Sequence, residues 1–405
     1  MATAVLQLDA SDSSREIGGL QSYGAALILI RRGAVPVALF TLPVTGGRVD
    51  GRALRSAVAE QGGERLVSLE ALENLGCSAA LSLEGRAATV AVCTRDRPED
   101  LDRCLTALRA LASTGQELLV IDNASGGDGT RLVVDRHPGV RYVREDRPGL
   151  DIARNRALRE ARGEIVAFCD DDAVPDPHWL GALLGGFDGP RTLCVTGLTL
   201  PLELETAAQE CFERTNAFSR GLDRRRFDGA AHDPFLVGRI GAGVNMALRK
   251  SVLDLIGPFD EALDAGTATK SGGDHDMFTR ILLAGYCIVY EPGAISHHRH
   301  RRDWQGLRDT VRGYGTGVYA QLTKHLLEGR EPRAIGIALG WGVAQLRNLL
   351  RSLAKRPDAP PLDLVLGEMR GCLAGPHAYR VAKRRLRVTS VAGTRPATVA
   401  PGARQ

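Results

Sequence analysis

Residues 88–172 alternate between short apolar runs and stretches with helical spacing, and this alternation constrains the fold more than any other feature of the chain. The apolar runs predict strands, and the segments between them predict helices. The predicted strands are 89–94, 118–122, 140–143 and 164–169, and the predicted helices are 98–111, 129–136 and 150–161. A repeated strand–helix order favours a mainly parallel sheet with helices on both faces. We therefore expect an α/β fold.

The sequence on either side of this region predicts further units. Residues 1–86 predict a small N-terminal α+β module that contains a β-hairpin and a helix starting at Gly51. Residues 87–303 would form the α/β domain, and residues 304–390 a helical C-terminal extension whose clearest helix runs from 335 to 353. Residues 391–405, rich in Ala, Thr, Arg and Pro, predict a disordered tail.

Composition restricts the compartment and the partners of the chain. Its 405 residues are 44% hydrophobic and 25% charged, which is ordinary for a soluble enzyme. The eight cysteines are scattered without a C-x-x-C pair, and no signal peptide or membrane-spanning run is evident, so we expect a cytoplasmic protein. The net charge of +4 comes without a nucleic-acid-binding motif, so we expect no nucleic-acid partner. The amphipathic, basic stretch 335–356 leaves two readings open: peripheral contact with the inner face of a membrane, or packing on the domain.

Three consecutive acids, Asp170, Asp171 and Asp172, follow the last strand of the alternating region. Ligands of open α/β sheets gather at the carboxyl ends of strands. Adjacent carboxylates repel one another unless a cation lies among them, and hard oxygen ligands suit Mg²⁺ or Mn²⁺. The alternative is a solvated acidic turn that caps the next helix. Neither G-x-G-x-x-G nor a P-loop signature is present, which argues against a dinucleotide dehydrogenase and a P-loop enzyme.

Six short blocks follow one another along the chain: Val90 to Pro98, Leu119 to Ser125, Pro148 to Asn155, Gly163 to Asp172, Gly241 to Ala247 with Gly257 to Glu261, and Gly272 to Asp276. Taken in this order, they resemble family 2 glycosyltransferases of the GT-A fold. The resemblance covers residues 88 to about 300 and implies a Rossmann-like sheet. It also implies a metal-dependent, inverting transfer of a hexosyl-type group from a nucleoside-diphosphate sugar to an acceptor hydroxyl. The acceptor could be a glycan, a lipid-linked molecule or a small molecule, and neither donor nor acceptor follows from the sequence.

The resemblance also implies roles for residues at the strand ends. The nucleotide-binding candidates are Thr94, Arg95, Arg97, Asp122, Asn123, Arg154 and Asn155. Asp122 would accept a hydrogen bond from the base, with Asn123 assisting, and the alternative for Asp122 is a turn cap. Arg95 and Arg97 could instead be solvated surface charges. Arg154 and Asn155 could instead brace the sheet.

The metal site implied by the resemblance is the Asp-x-Asp pair of Asp170 and Asp172. We expect Asp172 to ligate Mn²⁺ or Mg²⁺ directly, Asp170 to contact the metal and the ribose or sugar hydroxyls, and Asp171 to contribute third. His298, and after it His300, is the candidate for completing the metal sphere. Arg299, Arg301 and Arg302 in the same run could bind phosphate. A basic surface turn is the alternative.

Asp274 matches the aspartate of the family's Glu-Asp motif and is the predicted general base. The residue before it is Gly273 rather than Glu, and Asp276 is the nearest substitute acid, predicted to contact the substrate. This departure keeps a catalytically impaired nucleotide-sugar-binding protein as an alternative function. A nucleotidylyltransferase is a weaker alternative, because it would need a glycine-rich basic loop after its first strand, and residues 94–97 do not provide one.

Overall fold

A nine-stranded mixed sheet organises residues 88–298 of the computed structural model, which describes residues 2–13, 15–76, 87–112 and 115–393. The strands are β4 (Ala88–Thr94), β5 (Glu117–Asn123), β6 (Val140–Glu145), β7 (Ile165–Asp170), β8 (Ala173–Pro175), β9 (Thr192–Pro201), β10 (Arg225–Asp228), β11 (Asn245–Arg249) and β12 (Cys287–His298). Their order in the sheet is β10-β12-β9-β11-β7-β4-β5-β6, with β8 paired to β12. The α/β expectation is confirmed.

The sheet is less parallel than the sequence suggests. Strands β7, β4, β5 and β6 are parallel neighbours, as the strand–helix alternation predicts. Strand β11 is inserted between β7 and β9 and runs antiparallel to both. The parallel register aligns Cys93 with Asp170 and Thr94 with Asp122, so three carboxyl ends meet at one edge.

Helices cover both faces of the sheet because alternate residues of the strands point to opposite sides. Val90 and Val92 pack with helices α2, α3 and α5 on one face, whereas Ala91 packs with α4 and α8 on the other. Helix α6 begins at a capping box formed by Thr206 and Gln209. The helices of this domain are α2 (Pro98–Arg109), α3 (Gly129–Asp135), α4 (Leu150–Glu160), α5 (Trp179–Gly185), α6 (Ala207–Asn216), α7 (Val252–Leu255) and α8 (Gly273–Leu283).

The N-terminal residues form a second, three-stranded sheet with one long helix. Its elements are β1 (Ala2–Asp9), β2 (Tyr23–Arg32), β3 (Val35–Pro43) and α1 (Gly51–Asn74). The hairpin of β2 and β3 matches the sequence pattern, and β1, which pairs in parallel with β2, is an addition to it. An ion pair between Arg31 and Asp176 and apolar contacts of Leu29 join this sheet to the α/β domain. The predicted boundary at residue 86 lies outside the described residues.

Three helices follow the sheet: α9 (Trp304–Leu327), α10 (Arg333–Leu353) and α11 (Leu362–Gly393). Helices α9 and α11 approach closely through glycines, since a Cβ at Gly371 would lie 2.2 Å from the carbonyl oxygen of Arg312. Helix α11 continues through 393, and residues 394–405 of the predicted tail lie outside the described residues. Within the described residues, no helix combines the length and the apolar character needed to cross a membrane.

Candidate functional site

Asp171 faces inward and holds the first strand end in place. Its carboxylate accepts hydrogen bonds from Thr94 Oγ1 at 2.7 Å and from Arg97 Nη1 at 3.0 Å. Burial and the neighbouring Asp172 charge together raise the pKa of Asp171 to about 6, although Arg97 and Thr94 oppose the shift. The structure therefore gives Thr94 and Asp171 a bracing arrangement beneath the site. Arg97 bridges Asp171 and Asp172, and its side chain is 37% exposed.

Asp170, Asp172 and His298 converge on one point. Nε2 of His298 lies 3.0 Å from Asp172 Oδ1 and 4.0 Å from Asp170 Oδ2, and one ligand atom from each residue lies within 4.8 Å of the others. The last residue of β7 supplies Asp170, the turn that follows supplies Asp172, and the end of β12, paired with β8, supplies the histidine. Burial alone would raise the pKa of Asp172, but the charges of His298 and Arg97 hold it well below the usual range. Burial alone would lower the pKa of His298, but Asp172 raises it.

The donor set fits a divalent cation. Two carboxylates and one imidazole nitrogen are the ligand types that Mn²⁺ accepts, and the carboxylates also suit Mg²⁺. Each of the three offers an atom toward the same point, His298 lies beside Asp172, and Arg97 also contacts Asp172. Because a ligating imidazole must be neutral, cation binding would compete with protonation of His298.

The rest of the basic run after His298 is committed to other contacts. His300, the second histidine candidate, is 4% exposed and pairs with Glu213 at 3.0 Å, so the structure places it outside the metal cluster. Arg299 pairs with Asp100 at 3.0 Å. Arg302 pairs with Glu203 and Glu205. Arg301 is exposed, and its charge helps to lower the pKa of Asp172.

Asp122 lies at the end of β5 with its carboxylate fully engaged. It is 1% exposed and accepts hydrogen bonds from Tyr142 Oη at 2.6 Å, Arg144 Nη1 at 3.3 Å and the Ser125 amide at 3.4 Å. Tyr142 and Arg144, on β6, were not candidates from the sequence. Their positions on the next parallel strand were the available signal, because parallel neighbours end at the same edge.

Two amide side chains among the candidates brace loops of the site. Asn123 accepts from the Gly149 amide at 2.8 Å and donates to the Arg147 carbonyl oxygen at 2.8 Å. Asn155 is 0% exposed and makes two hydrogen bonds to the backbone of Phe259. The bracing alternative therefore holds for Asn155 rather than a place on the crevice surface. Arg95 extends outward with 48% of its side chain exposed and lies 3.6 Å from Asp96.

Arg154 is a buried cation among carboxylates. Its Nη1 donates to Asp151 at 3.0 Å and to Asp264 at 2.8 Å, and the residue is 4% exposed. Burial opposes the charged form, yet Asp264, Asp151, Asp170 and Asp274 together raise the pKa of Arg154. This arginine therefore links the metal cluster electrostatically to Asp274. Asp151 and Asp264 were missed from the sequence, although Asp151 stands three residues before Arg154 on the same helix.

Asp274 is oriented by backbone amides at the start of α8. Its Oδ2 accepts from the Gly243 amide at 2.7 Å and its Oδ1 from the His275 amide at 2.8 Å. Burial would raise the pKa of Asp274, but His275, Arg154 and these amides hold it below the usual value, so the carboxylate is ionised. The side chain is partly exposed. This combination suits a group that accepts a proton.

The prediction that Asp276 substitutes for a substrate-binding acid is wrong in this structure. Asp276 is 0% exposed and lies in an interior ion-pair network with Arg280 at 2.8 Å, Lys324 at 2.8 Å and His325 at 3.1 Å. Residues two positions apart on a helix point to different faces, so Asp276 points away from Asp274.

The fold and this site define a class, namely an α/β protein with a candidate divalent-cation site at the carboxyl edge of its sheet. Residues 89–256 match the family model described as "Glycosyl transferase family 2". Over these residues the chain is similar to that family.

Several known proteins are similar to the chain. A pre-mycofactocin glycosyltransferase of Mycobacterium tuberculosis is 28% identical over 54% of this chain and 44% of its own length. A glucosyl-dolichyl phosphate glucuronosyltransferase of Haloferax volcanii is 22% identical over 65% of this chain and 86% of its own length. A mannosyltransferase of Pyrobaculum calidifontis, solved with GDP-Man and Mn²⁺, has a TM-score of 0.46 and 20% identity, and the match covers 84% of this chain and 86% of that one. The chain spans less than half the length of the mycobacterial relative.

Proposed function

We propose that the protein is a metal-dependent, inverting glycosyltransferase that moves a hexosyl group from a nucleoside-diphosphate sugar to an acceptor hydroxyl. One observation carries this proposal: Asp170, Asp172 and His298 converge on a point beside Arg97, while Asp274 is held separately as an oriented and partly exposed carboxylate. The two parts supply the two requirements of the transfer, a place for the leaving diphosphate and a base for the acceptor.

The donor half of the site is built from Asp170, Asp172, His298 and two arginines. A bound Mn²⁺ or Mg²⁺ would supply Lewis-acid neutralisation of the charge that develops on the leaving diphosphate. Arg97 and the exposed Arg301 would place fixed positive charge beside the same phosphates. The edge formed by Thr94, Asp122 and Asp170 would receive the nucleoside, as the carboxyl edge does in other open α/β sheets.

The acceptor half depends on Asp274. Its carboxylate would take the proton of the acceptor hydroxyl while the hydroxyl oxygen forms a bond to the anomeric carbon. The bond from that carbon to the diphosphate oxygen breaks in the same displacement, and its electron pair leaves with the nucleoside diphosphate. A single displacement inverts the configuration at the anomeric carbon. The Gly243 and His275 amides would keep the carboxylate ionised and aimed.

Donor hydrolysis tests this function without knowledge of the acceptor. UDP-, GDP- and TDP-sugars are incubated with Mn²⁺, and the anomer released is followed by proton NMR at early times. We expect one nucleotide class to be hydrolysed with inversion, and Asp172→Asn and Asp274→Asn to lower the rate at least 100-fold. Exposed Asp135→Asn serves as the matched control. Retention of the configuration, or full activity in both site variants, would overturn the proposal.

We further propose that an anionic lipid surface is the partner of helix α10. Six large apolar side chains of this helix are between 49% and 68% exposed and follow one another at helical spacing over about 27 Å. They are Ile335, Leu339, Val343, Leu346, Leu350 and Leu353. The opposite side packs on the protein through Ala334 and Gln345.

Charge favours a lipid surface over a second copy of the chain as the occupant of this stripe. Helix α10 contains no acid, and residues 330–358 carry six basic and two acidic residues, a net charge of +4 that equals that of the whole chain. Arg333 pairs with Glu331 and Arg351 with Asp358, both at the surface. Two such helices facing each other would repel, whereas anionic headgroups would attract them.

Vesicle flotation distinguishes the occupants. We expect the protein to float with phosphatidylcholine vesicles that contain phosphatidylglycerol, and Leu339→Glu to lower the partition coefficient at least tenfold. Leu132→Glu, at a similarly exposed leucine of α3, is the matched control. Equal flotation of Leu339→Glu and wild type, or a dimer in solution that this variant dissociates, would overturn the lipid assignment.

A further inference from the structure

A carboxylate from another helix fills the space above Gly273. A Cβ atom at position 273 would lie 2.0 Å from Oδ2 and 2.5 Å from Cγ of Asp151, which is far inside any tolerable contact. The backbone of Gly273 itself does not need glycine, since its φ lies outside the left-handed region. The position before Asp274 is therefore glycine because Asp151 occupies the volume of its side chain.

Asp151 is held on one side only. It lies in the first turn of α4 with 0% exposure, and its Oδ1 accepts from Arg154 Nη1 at 3.0 Å. Its Oδ2, the atom nearest to Gly273, has no hydrogen-bond partner among the described residues. A buried carboxylate oxygen without a partner is costly, so a reason for its retention is expected.

The contacts of Arg154 connect Asp151 to Asp274. Asp151 and Asp264 both fix the Nη1 atom of Arg154. A Cβ at Gly243 would lie 2.9 Å from Arg154 Nη2 and 3.1 Å from Asp274 Oδ2, so the guanidinium and the carboxylate flank the same backbone position. The Gly243 amide is also the group that donates to Asp274 Oδ2.

We propose that Asp151 is the positioning carboxylate of the acceptor base: it fixes Arg154 beside Asp274 and takes the place of a side chain at position 273. This inference rests on the proposed function. A second acid, Asp151, thus lies beside Asp274 although position 273 is a glycine, and this acid comes from α4 instead of α8.

The distribution of charge supports this role. Three acids, Asp151, Asp264 and Asp274, share one buried cation, so they cannot all be ionised at low cost. Burial and the neighbouring acids raise the pKa of Asp151 and of Asp264, whereas the pKa of Asp274 is lowered. The negative charge is therefore concentrated on Asp274, where the proton of the acceptor would be received.

A reciprocal exchange of the carboxylate tests the proposal. Asp151→Asn, Gly273→Glu and the double variant Asp151→Gly/Gly273→Glu are compared by donor hydrolysis with Mn²⁺ and by thermal unfolding, with Asp135→Asn as the control. We expect Asp151→Asn to lower kcat about 10- to 100-fold and to leave the donor KM within about twofold, because Asp151 does not contact the donor cluster. Gly273→Glu alone should lower the Tm through overlap with Asp151.

The double variant should recover both Tm and at least tenfold in kcat relative to Gly273→Glu, since the carboxylate then has space on α8. Wild-type kcat in Asp151→Asn, or additive losses in the double variant, would overturn the inference. Absence of donor hydrolysis by the wild type would instead overturn the proposed function. The coupling in Tm would then still report whether Asp151 fills the space above Gly273.

Discussion

Two aspartates that stand two residues apart on helix α8 should respond to substitution in opposite ways. Asp276 is fully buried and contacts Arg280, Lys324 and His325. Asp274 is partly exposed and accepts hydrogen bonds from two backbone amides. Asp276→Asn removes the charge of the buried aspartate and keeps the size of its side chain. Asp274→Asn makes the same change at the proposed base.

The loss of stability expected for Asp276→Asn follows from the residues that Asp276 contacts. Without its charge, the partly buried Arg280 and Lys324 lose their fully buried acid, and Lys324 keeps Asp260 at 3.1 Å. Removal of one partner from a buried ion pair costs about 3–5 kcal/mol. With an unfolding entropy of about 2.1 cal/mol/K per residue, that loss lowers the Tm of a chain of this length by about 4–6 °C if it unfolds as one unit.

The pH dependence of the free energy of unfolding provides a second test of this network. Burial opposes ionisation, but Lys324, Arg280 and His325 lower the pKa of Asp276. A lowered pKa means that the carboxylate stabilises the fold above its unfolded value of 3.8, and that this contribution is lost as the pH falls through the folded value. The difference between wild type and Asp276→Asn should therefore be constant at neutral pH and shrink only in acid.

The assay combines urea denaturation with donor hydrolysis at a temperature where both variants are folded. Asp276→Asn should lose stability and keep hydrolysis within about threefold, whereas Asp274→Asn should lose at least 100-fold in rate with a smaller Tm change. A stable but inactive Asp276→Asn would refute the assignment of Asp276 to the interior network, and would place it at the acceptor instead.

Three further perturbations have directions fixed by the structure. Burial raises the pKa of Glu368 to about 7, so wild-type stability should fall as the pH rises from about 4.5 through 7. In urea titrations, Glu368→Gln should be more stable than wild type by about 1–3 kcal/mol at pH 8 and equally stable at pH 4. Tyr142→Phe removes the 2.6 Å hydrogen bond to buried Asp122 and should cost about 1–3 kcal/mol in unfolding free energy, and an unchanged value would contradict that bond. Arg97→Gln removes a cation from Asp172 and should weaken nucleotide binding about tenfold while Mn²⁺ alone binds at least as tightly, as isothermal calorimetry would show.

Local pattern predicted the parallel half of the sheet and the acidic edge, because each depends on residues close in sequence. Strand β7, for example, is an uninterrupted buried run that ends at Asp170. The insertion of antiparallel β11 between β7 and β9 depends on pairing between distant segments, so no local pattern reports it. The sequence pattern did not predict α11 as one continuous helix, because it contains Pro376 and glycines that are needed only where α11 packs closely against α9.

The same distinction between local and long-range contacts applies to the candidate site residues. The convergence of His298 with Asp170 and Asp172 was anticipated by the motif order, and the structure brings the three together. The separation of His300 was not anticipated, because it depends on Glu213 from α6. Helical geometry alone could have excluded Asp276, since positions i and i+2 do not share a face.

The most direct test of the account is a calorimetric titration of Mn²⁺, followed by UDP, GDP, TDP and ADP, into wild type and Asp172→Asn. We expect one Mn²⁺ site per chain, Mn²⁺-dependent binding of one nucleotide, and loss of both in Asp172→Asn, because Asp172 contacts His298 and Arg97 at the centre of the cluster. Equal Mn²⁺ and nucleotide affinities in the two proteins, or no nucleotide binding by wild type, would contradict it.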